Sequence, residues 1–508
     1  MNKRQNLPGV RGRSILRAGG ALAVIAALFL FLGTSLSVKA VQLENDSPVA
    51  AESIAGDGFL QFFPVMFKHY DIPTIFGLEM TLVEPGPALT LVEALGSYWM
   101  RHNALLWSSV EPVNNGVYDW GADPYIEEEL ITTYLSGMHS ILVIRSTPLW
   151  AQQQPGYFCG PMKPEFLDDF GDFLVAAVKR YSGPPFYVRH YEIWNEPDVV
   201  SSNVPPDQIF GCWGDEDDAH YGGGYYGEML KAVYPRMKTA NPDITVLVGG
   251  LLLDCDPRNP PAGSDCTPAL FLEGILTAGA KNSFDAISFH AYDYYNPTFN
   301  TFGNPNWNSG KFNNEPNGSL RPVLSQKVDF INEVLASFGA TGKILMNTES
   351  ALLCGGNTAP PGTPPCDAND TSPFEILKAS YLAQSYPTAI GENLAANLWF
   401  TVAGWRNSGL LYDDDTPRPA YYAFQFSEEM LRGTTFKSQV TGSAGIAGYK
   451  FDRKNGTEVW IVWAWNGGPQ GMTLPSVPFA IWDSTGDPVT VTGTSLTLTV
   501  EPYYVELP

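Results

Sequence analysis

The stretch Tyr191-Glu192-Ile193-Trp194-Asn195-Glu196-Pro197-Asp198 reads as a buried strand that stops abruptly. Aromatic and β-branched residues from Tyr187 to Trp194 favour a strand, and Pro197 ends the pairing because it has no N–H to offer. The proline fixes the turn, so the Glu196 carboxylate is held at the strand's end. Alone, these residues also suit a plain Asn/Pro turn with Glu196 in solvent. A second run, Met346-Asn347-Thr348-Glu349-Ser350, ends another apolar strand in a glutamate, which alone would be a charged strand cap. The pair gains meaning if both strands belong to one parallel ring, where functional groups gather at the carboxyl ends.

Outward from this stretch, short apolar runs alternate with longer amphipathic ones. Strands are expected at Thr74–Met80, Asn103–Trp107, His139–Arg145, Tyr187–Trp194, Ile244–Gly249, Asp285–His290, Lys343–Thr348 and Leu394–Thr401. Several are continuously apolar, as parallel strands buried on both faces are. Glu165 to Tyr181 predicts a helix, with Phe166, Phe170, Phe173, Leu174, Ala177, Val178 and Tyr181 along one stripe. Its acids come first and Lys179 and Arg180 last, matching the helix dipole. A second helix is expected from Leu320 to Phe338. Eight strand–helix units predict an α/β fold, a (β/α)8 TIM barrel. An open doubly wound sheet is the alternative, but no glycine-rich nucleotide loop supports it, and no Lys-Ser/Thr follows Gly222-Gly223-Gly224.

Beyond residue 432 the pattern becomes short strands between Gly and Pro turns: Glu458–Ala464, Pro478–Asp483, Val489–Thr492 and Ser495–Val500. The expected organisation is a signal peptide at 1–40, a leader at 41–72, the barrel at 73–431 and a small antiparallel, sandwich-like β domain at 432–508. That last domain reads as a structural appendage, since Trp460, Trp463 and Trp465 sit in or beside a strand.

The N-terminal reading rests on a basic start (Lys3, Arg4, Arg11, Arg13, Arg17), the apolar run Ala21 to Leu32, and small residues at Val38 and Ala40. Cleavage after Ala40 is expected, with an uncleaved anchor as the alternative. Either way the rest is exported, and no other apolar run is long enough to cross a bilayer. Residues 1–40 carry six basic and no acidic side chains, so their removal takes the net charge from −23 to −29. Such a surface repels nucleic acid and anionic membranes and suits a neutral substrate. The six cysteines, Cys159, Cys212, Cys255, Cys266, Cys354 and Cys366, lack CxxC spacing and in an exported chain imply disulfides. Sequence neighbours suggest 255–266 and 354–366, leaving 159–212, out of about 15 possible pairings.

Asn195-Glu196-Pro197 and Thr348-Glu349 resemble the acid/base and nucleophile motifs of the clan of (β/α)8 retaining glycoside hydrolases that holds the family 5 cellulases and mannanases and the family 39 xylosidases and iduronidases. The resemblance spans roughly residues 74–431. Supporting pieces recur in order: Arg101 before Trp107, then Glu111-Pro112, Thr147-Pro148-Leu149-Trp150-Ala151, His290-Ala291-Tyr292, and Trp399. It implies hydrolysis of a glycosidic bond in an oligo- or polysaccharide, with Glu196 as acid/base and Glu349 as nucleophile. Arg101 and Tyr292 would support the nucleophile, with His290 beside them, and Asn195 would hold the hydroxyl next to the anomeric carbon. Trp150 and Trp399 would offer flat faces to the sugar, with Trp405 as the alternative to Trp399. No organic cofactor and no catalytic metal are expected, because the histidines lack ligand spacing and no Ser/His/Asp arrangement stands out. The competing reading is a carbohydrate-binding barrel without catalysis. A transglycosidase is a third.

Overall fold

In the computed structural model the described residues are 72–205, 211–264, 266–307, 321–354, 366, 372–442, 444–465 and 468–508. The expected signal peptide, and the leader apart from Ile72, lie outside them.

Eight parallel strands close into a ring: β1 (Phe76–Glu79), β2 (Trp99–Leu106), β3 (His139–Arg145), β4 (His190–Asn195), β5 (Thr245–Leu251), β6 (Ala286–Asn296), β8 (Ile344–Leu353) and β9 (Ala396–Phe400). Pairing of β1 with β9 shuts it. Each lies on an expected strand, because burial on both faces leaves an apolar run that little else in the chain imitates. Trp99, Ile141, Leu247, Ala286, Met346, Ala396 and Leu398 fill the ring's interior at its amino-terminal end.

The helix Leu167–Tyr181 turns Phe170, Phe173, Leu174, Ala177, Val178 and Tyr181 into the layer between helices and ring. Phe166 falls just before it, in a short 3₁₀ turn. The helix expected from Leu320 is observed at Leu324–Ser337; Leu320 itself is outside the described residues.

β2 starts four residues earlier than expected, at Trp99, and two strands run well past their expected carboxyl ends, β8 going on beyond Glu349 to Leu353. β6 continues past His290 to Asn296 and stays paired with β8 as far as Tyr294↔Leu353. A short β7 (Thr301–Gly303) adds antiparallel to its tip. This raises a wall above the sixth and seventh strand ends. It carries Tyr292 and Tyr294.

After Leu431 the chain forms a five-stranded antiparallel sheet ordered β10 (Thr435–Gln439), β11 (Ile446–Asp452), β12 (Glu458–Ala464), β16 (Tyr503–Leu507), β14 (Ala480–Trp482). A two-stranded ribbon pairs β13 (Gln470–Thr473) with β15 (Ser495–Leu498). The expected strand Val489–Thr492 is not one. Pro488 cannot donate and Gly493 turns the chain, so only the Val489 N–H pairs, with Ile481 O. The sheet shares a core with the barrel: Phe451, Ile461, Trp463 and Tyr504 pack with Tyr386 and Phe424 of helices Pro373–Gly391 and Pro419–Leu431. Trp463 is buried in that contact.

Candidate active site

β4 alternates as a buried strand must. Tyr191 and Ile193 turn out to the helices, and Glu192 turns into the ring to meet Arg101. At the exit the backbone departs from the strand. Trp194 and Glu196 both adopt left-handed angles, φ 79° and 45°, although a residue before proline usually stays extended. Neighbours over-determine this turn. The Glu196 N–H donates to Gly250 O at 2.9 Å, Trp213 N–H to Pro197 O at 3.0 Å, and Trp194 Nε1 to Cys159 O at 2.8 Å. Gly211 presses on the Asn195 and Glu196 carbonyls, so closely that a Cβ would stand 2.2 and 1.8 Å from them. The Cys159–Cys212 disulfide then ties this loop to the one after β3.

Arg101, in the middle of β2, is fully buried and organises the floor of the pocket. Its Nη1 donates to Glu349 Oε1 at 2.5 Å and Glu79 Oε2 at 2.8 Å; its Nη2 donates to Glu192 Oε1 at 2.7 Å and Asn195 Oδ1 at 2.6 Å. One cation thus faces three carboxylates. Burial pushes Glu79 up to about 7, against the pull of Arg101 and helped by Glu349. Glu349 is gripped from its other side by the Tyr292 hydroxyl, which donates to Oε2. Both of its oxygens therefore accept, as an ionised carboxylate does.

His290 stands between the two glutamates. Its Nδ1 is 2.9 Å from Glu196 Oε1 and 3.4 Å from Glu349 Oε2. Burial pushes its pKa down to about 4, so the ring is neutral. Its Nε2 faces the backbone of Gly250, where a Cβ would come within 2.2 Å, and meets no hydrogen-bonding partner among the described residues. Placing the proton on Nδ1 avoids burying an orphaned N–H, and Nδ1–H then donates to Glu196. Burial, opposed by Arg101 and Lys327, pushes Glu196 itself up to about 7. Glu196, His290 and Glu349 offer ligand atoms all within 4.8 Å of one another. That set does not suit a cation: Arg101 and Tyr292 already occupy Glu349, and a protonated Nδ1 has no lone pair to give.

The structure thus brings together Arg101, Asn195, Glu196, His290, Tyr292 and Glu349. Trp150 is half-buried at the mouth, its Nε1 bonded to Glu111 O at 3.0 Å and its ring edge-on to Trp107 and Phe166. Trp399 must be corrected. Leu398 fills the ring interior, so by alternation Trp399 points out to the helices, fully buried beside Tyr381 with Nε1 on Ser408 O. The next residue, Phe400, faces the site edge-on to Tyr292, and Trp405 is 56% exposed on the following loop. Glu79, Glu192, Asp198 and Lys327 also belong to the site, and sequence reasoning gave them no part. Glu192 carried a signal, a lone charge inside an apolar strand; the others carried none.

All six cysteines pair as the neighbour rule suggested: Cys159–Cys212, Cys255–Cys266 and Cys354–Cys366. No helix among the described residues is long and apolar enough to cross a membrane.

No protein-family model and no curated protein sequence matches the chain. Solved structures do. A family 39 glycoside hydrolase from Bacteroides cellulosilyticus WH2 superposes with a TM-score of 0.61 at 21% identity, over 87% of this chain and 82% of that one. A family 30 subfamily 8 xylanase from Clostridium acetobutylicum gives 0.54 at 14%, over 87% and 97%. AbfB, a family 51 α-L-arabinofuranosidase from Bifidobacterium longum, gives 0.53 at 13%, over 85% and 92%. All three are (β/α)8 enzymes of one clan of glycoside hydrolases. At these identities the likeness establishes the fold, and function rests on the pocket.

Proposed function

We propose that the chain is an exported retaining glycoside hydrolase acting on a neutral glycan, with Glu196 as acid/base and Glu349 as nucleophile. The observation that carries this reading is the approach of the two carboxylates, with ligand oxygens within 4.8 Å across the mouth of one ring. Retaining enzymes keep their carboxyl groups about 5–5.5 Å apart, whereas inverting ones leave about 6.5–9.5 Å for a water. The gap here suits direct attack.

The environments divide the labour. Glu349, held by Arg101 and Tyr292, presents a carboxylate to the anomeric carbon. Glu196, raised to about 7 by burial, carries a proton for the departing oxygen at mildly acidic pH. Attack forms the glycosyl–Glu349 ester as the Glu196 proton passes to the leaving group. Glu196 then takes a proton from water, and the hydroxide so generated breaks the ester and restores Glu349. Arg101 holds Asn195 Oδ1, which leaves the amide N–H groups to donate to the hydroxyl beside the reacting carbon. Phe400, Trp150 and Trp405 offer flat faces at the rim. The three disulfides support an oxidising, extracellular setting. Xylan and α-L-arabinofuranosides, which the neighbours' names carry, make pentosides of both anomeric configurations the first substrates to screen.

The test is a pair of isosteric variants. Glu196→Gln and Glu349→Gln should keep the wild-type circular dichroism and melting transition while turnover falls by about 10³ or more. Wild-type turnover in Glu349→Gln contradicts the nucleophile assignment.

A further inference from the structure

Lys327 stands in the first turn of helix Leu324–Ser337, yet its side chain runs inward and is buried. Its Nζ donates to Leu252 O and to His290 O, 2.7 Å each. These carbonyls lie just beyond the point, Leu251↔Phe289, where pairing of β5 with β6 ends. The Leu252 and Leu253 N–H groups donate in turn to the two oxygens of Asp198, at 2.9 and 2.8 Å. The exits of the fourth, fifth and sixth strands are thereby laced together. The lacing ends at His290, whose Nδ1 meets Glu196.

A neutral amide would satisfy two carbonyls without burying a charge, so the ammonium calls for a further reason. The acidic groups facing it are Glu196 and Asp198 from the fourth strand's exit, Asp254 from the loop after β5 and Asp293 from β6. The Trp307 ring lies 5.6 Å from Nζ. Glu196 is faced by the cations Arg101 and Lys327, by the acidic groups Glu192, Asp198, Asp254 and Glu349, and by His290, Tyr292 and Tyr294. Arg101 has committed its hydrogen bonds to Glu79, Glu192, Asn195 and Glu349.

We propose that Lys327 is a positioning residue for the acid/base, fixing His290 against Glu196 while its buried charge sets the pH range in which Glu196 exchanges its proton. The proposal rests on Glu196 being the acid/base. Arg101 serves the nucleophile by contact, and Lys327 serves Glu196 from a distance, which leaves Glu196 free to take a proton and release it. Once Glu349 is esterified and its charge lost, the ammonium favours the ionised Glu196 that the second step requires.

The experiment is the pH dependence of kcat/KM on a p-nitrophenyl glycoside for the wild type, Glu196→Ala, Lys327→Gln and Lys327→Arg. Loss of the alkaline limb in Glu196→Ala supports the acid/base assignment; a limb that persists there overturns that assignment and this proposal with it. Lys327→Gln keeps an N–H donor and drops the charge. Its alkaline limb should move up by about one pH unit, with kcat falling several-fold and KM nearly unchanged. A limb that stays in place, whatever happens to kcat, overturns the proposal. Lys327→Arg provides the second check if the glutamine protein is too unstable to assay. It retains charge but misplaces the clamp, so kcat should fall with the limb unmoved; a shifted limb overturns the proposal.

Discussion

Arg101 Nη1 lies 2.5 Å from Oε1 of Glu349, a residue 248 positions away in the chain. Only ring closure brings the second and seventh barrel strands into register for that contact, which makes fold and chemistry one arrangement. Replacing Arg101 with Met should leave Glu79, Glu192 and Glu349 buried together without a cation. The expected cost is about 3–5 kcal/mol of stability and a fall of about 10²–10³ in kcat/KM. Urea unfolding and steady-state kinetics check both, and a stable, active Arg101→Met protein would remove Arg101 from the account.

Activity should follow Glu196. Burial raises its pKa to about 7, so the protonated acid is available below that value and kcat/KM should fall as pH rises through about 7. His290, held neutral by burial, should contribute no limb between pH 5 and 8. A pH profile flat to pH 9 contradicts the assignment.

Stability should move the same way. Asp198 and Asp293 have ordinary values of 3.8 and Glu79 and Glu196 of 4.5, and burial raises all four to about 7. A carboxyl whose pKa is higher folded than unfolded favours the folded state below its unfolded value, and that contribution is lost as pH rises through the folded one. His290 and His190, lowered to about 4 by burial, oppose this over part of the range, but they are fewer. The melting temperature should therefore drop between about pH 5 and pH 7.5. Calorimetry that finds it rising counts against the buried acids.

The tryptophans should separate cleanly. Trp399→Ala empties a fully buried site and should cost about 3–5 kcal/mol. Trp405→Ala, on the exposed loop, should leave the melting point within a degree or two and raise KM instead. Equal effects on KM from both would reinstate Trp399 as a sugar contact.

Breaking Cys159–Cys212 with a Cys159→Ser, Cys212→Ser pair should cost about 2–4 kcal/mol, since it closes a span of 53 residues. It should also lower kcat, because Gly211 and Trp213 on either side of Cys212 brace the Glu196 turn. Unchanged kcat would separate the disulfide from the catalytic geometry.

The eight barrel strands were legible because burial on both faces leaves continuous apolar runs, Glu196 because it follows directly on such a run, and Glu349 because it is a charge within one, although its strand goes on to Leu353 rather than ending there. Trp399 misled because one step along a strand reverses the facing direction, and composition cannot say which neighbour looks inward. Glu79 and Lys327 were invisible for another reason. A glutamate at a strand end and a lysine on an amphipathic helix are ordinary in sequence; pairing with Arg101 and with the carbonyls of Leu252 and His290 makes them part of the site. In the C-terminal sheet, β11 escaped notice because Ala447 and Gly448 dilute its pattern, although the register with β12 runs unbroken from Ile446 to Asp452.

Proton NMR of the first-formed sugar, followed from the start of hydrolysis before mutarotation, is the most direct trial of two carboxylates set for double displacement. The anomer released first should have the configuration of the bond that was cut. Release of the opposite anomer would mean that water, not Glu349, attacks the sugar.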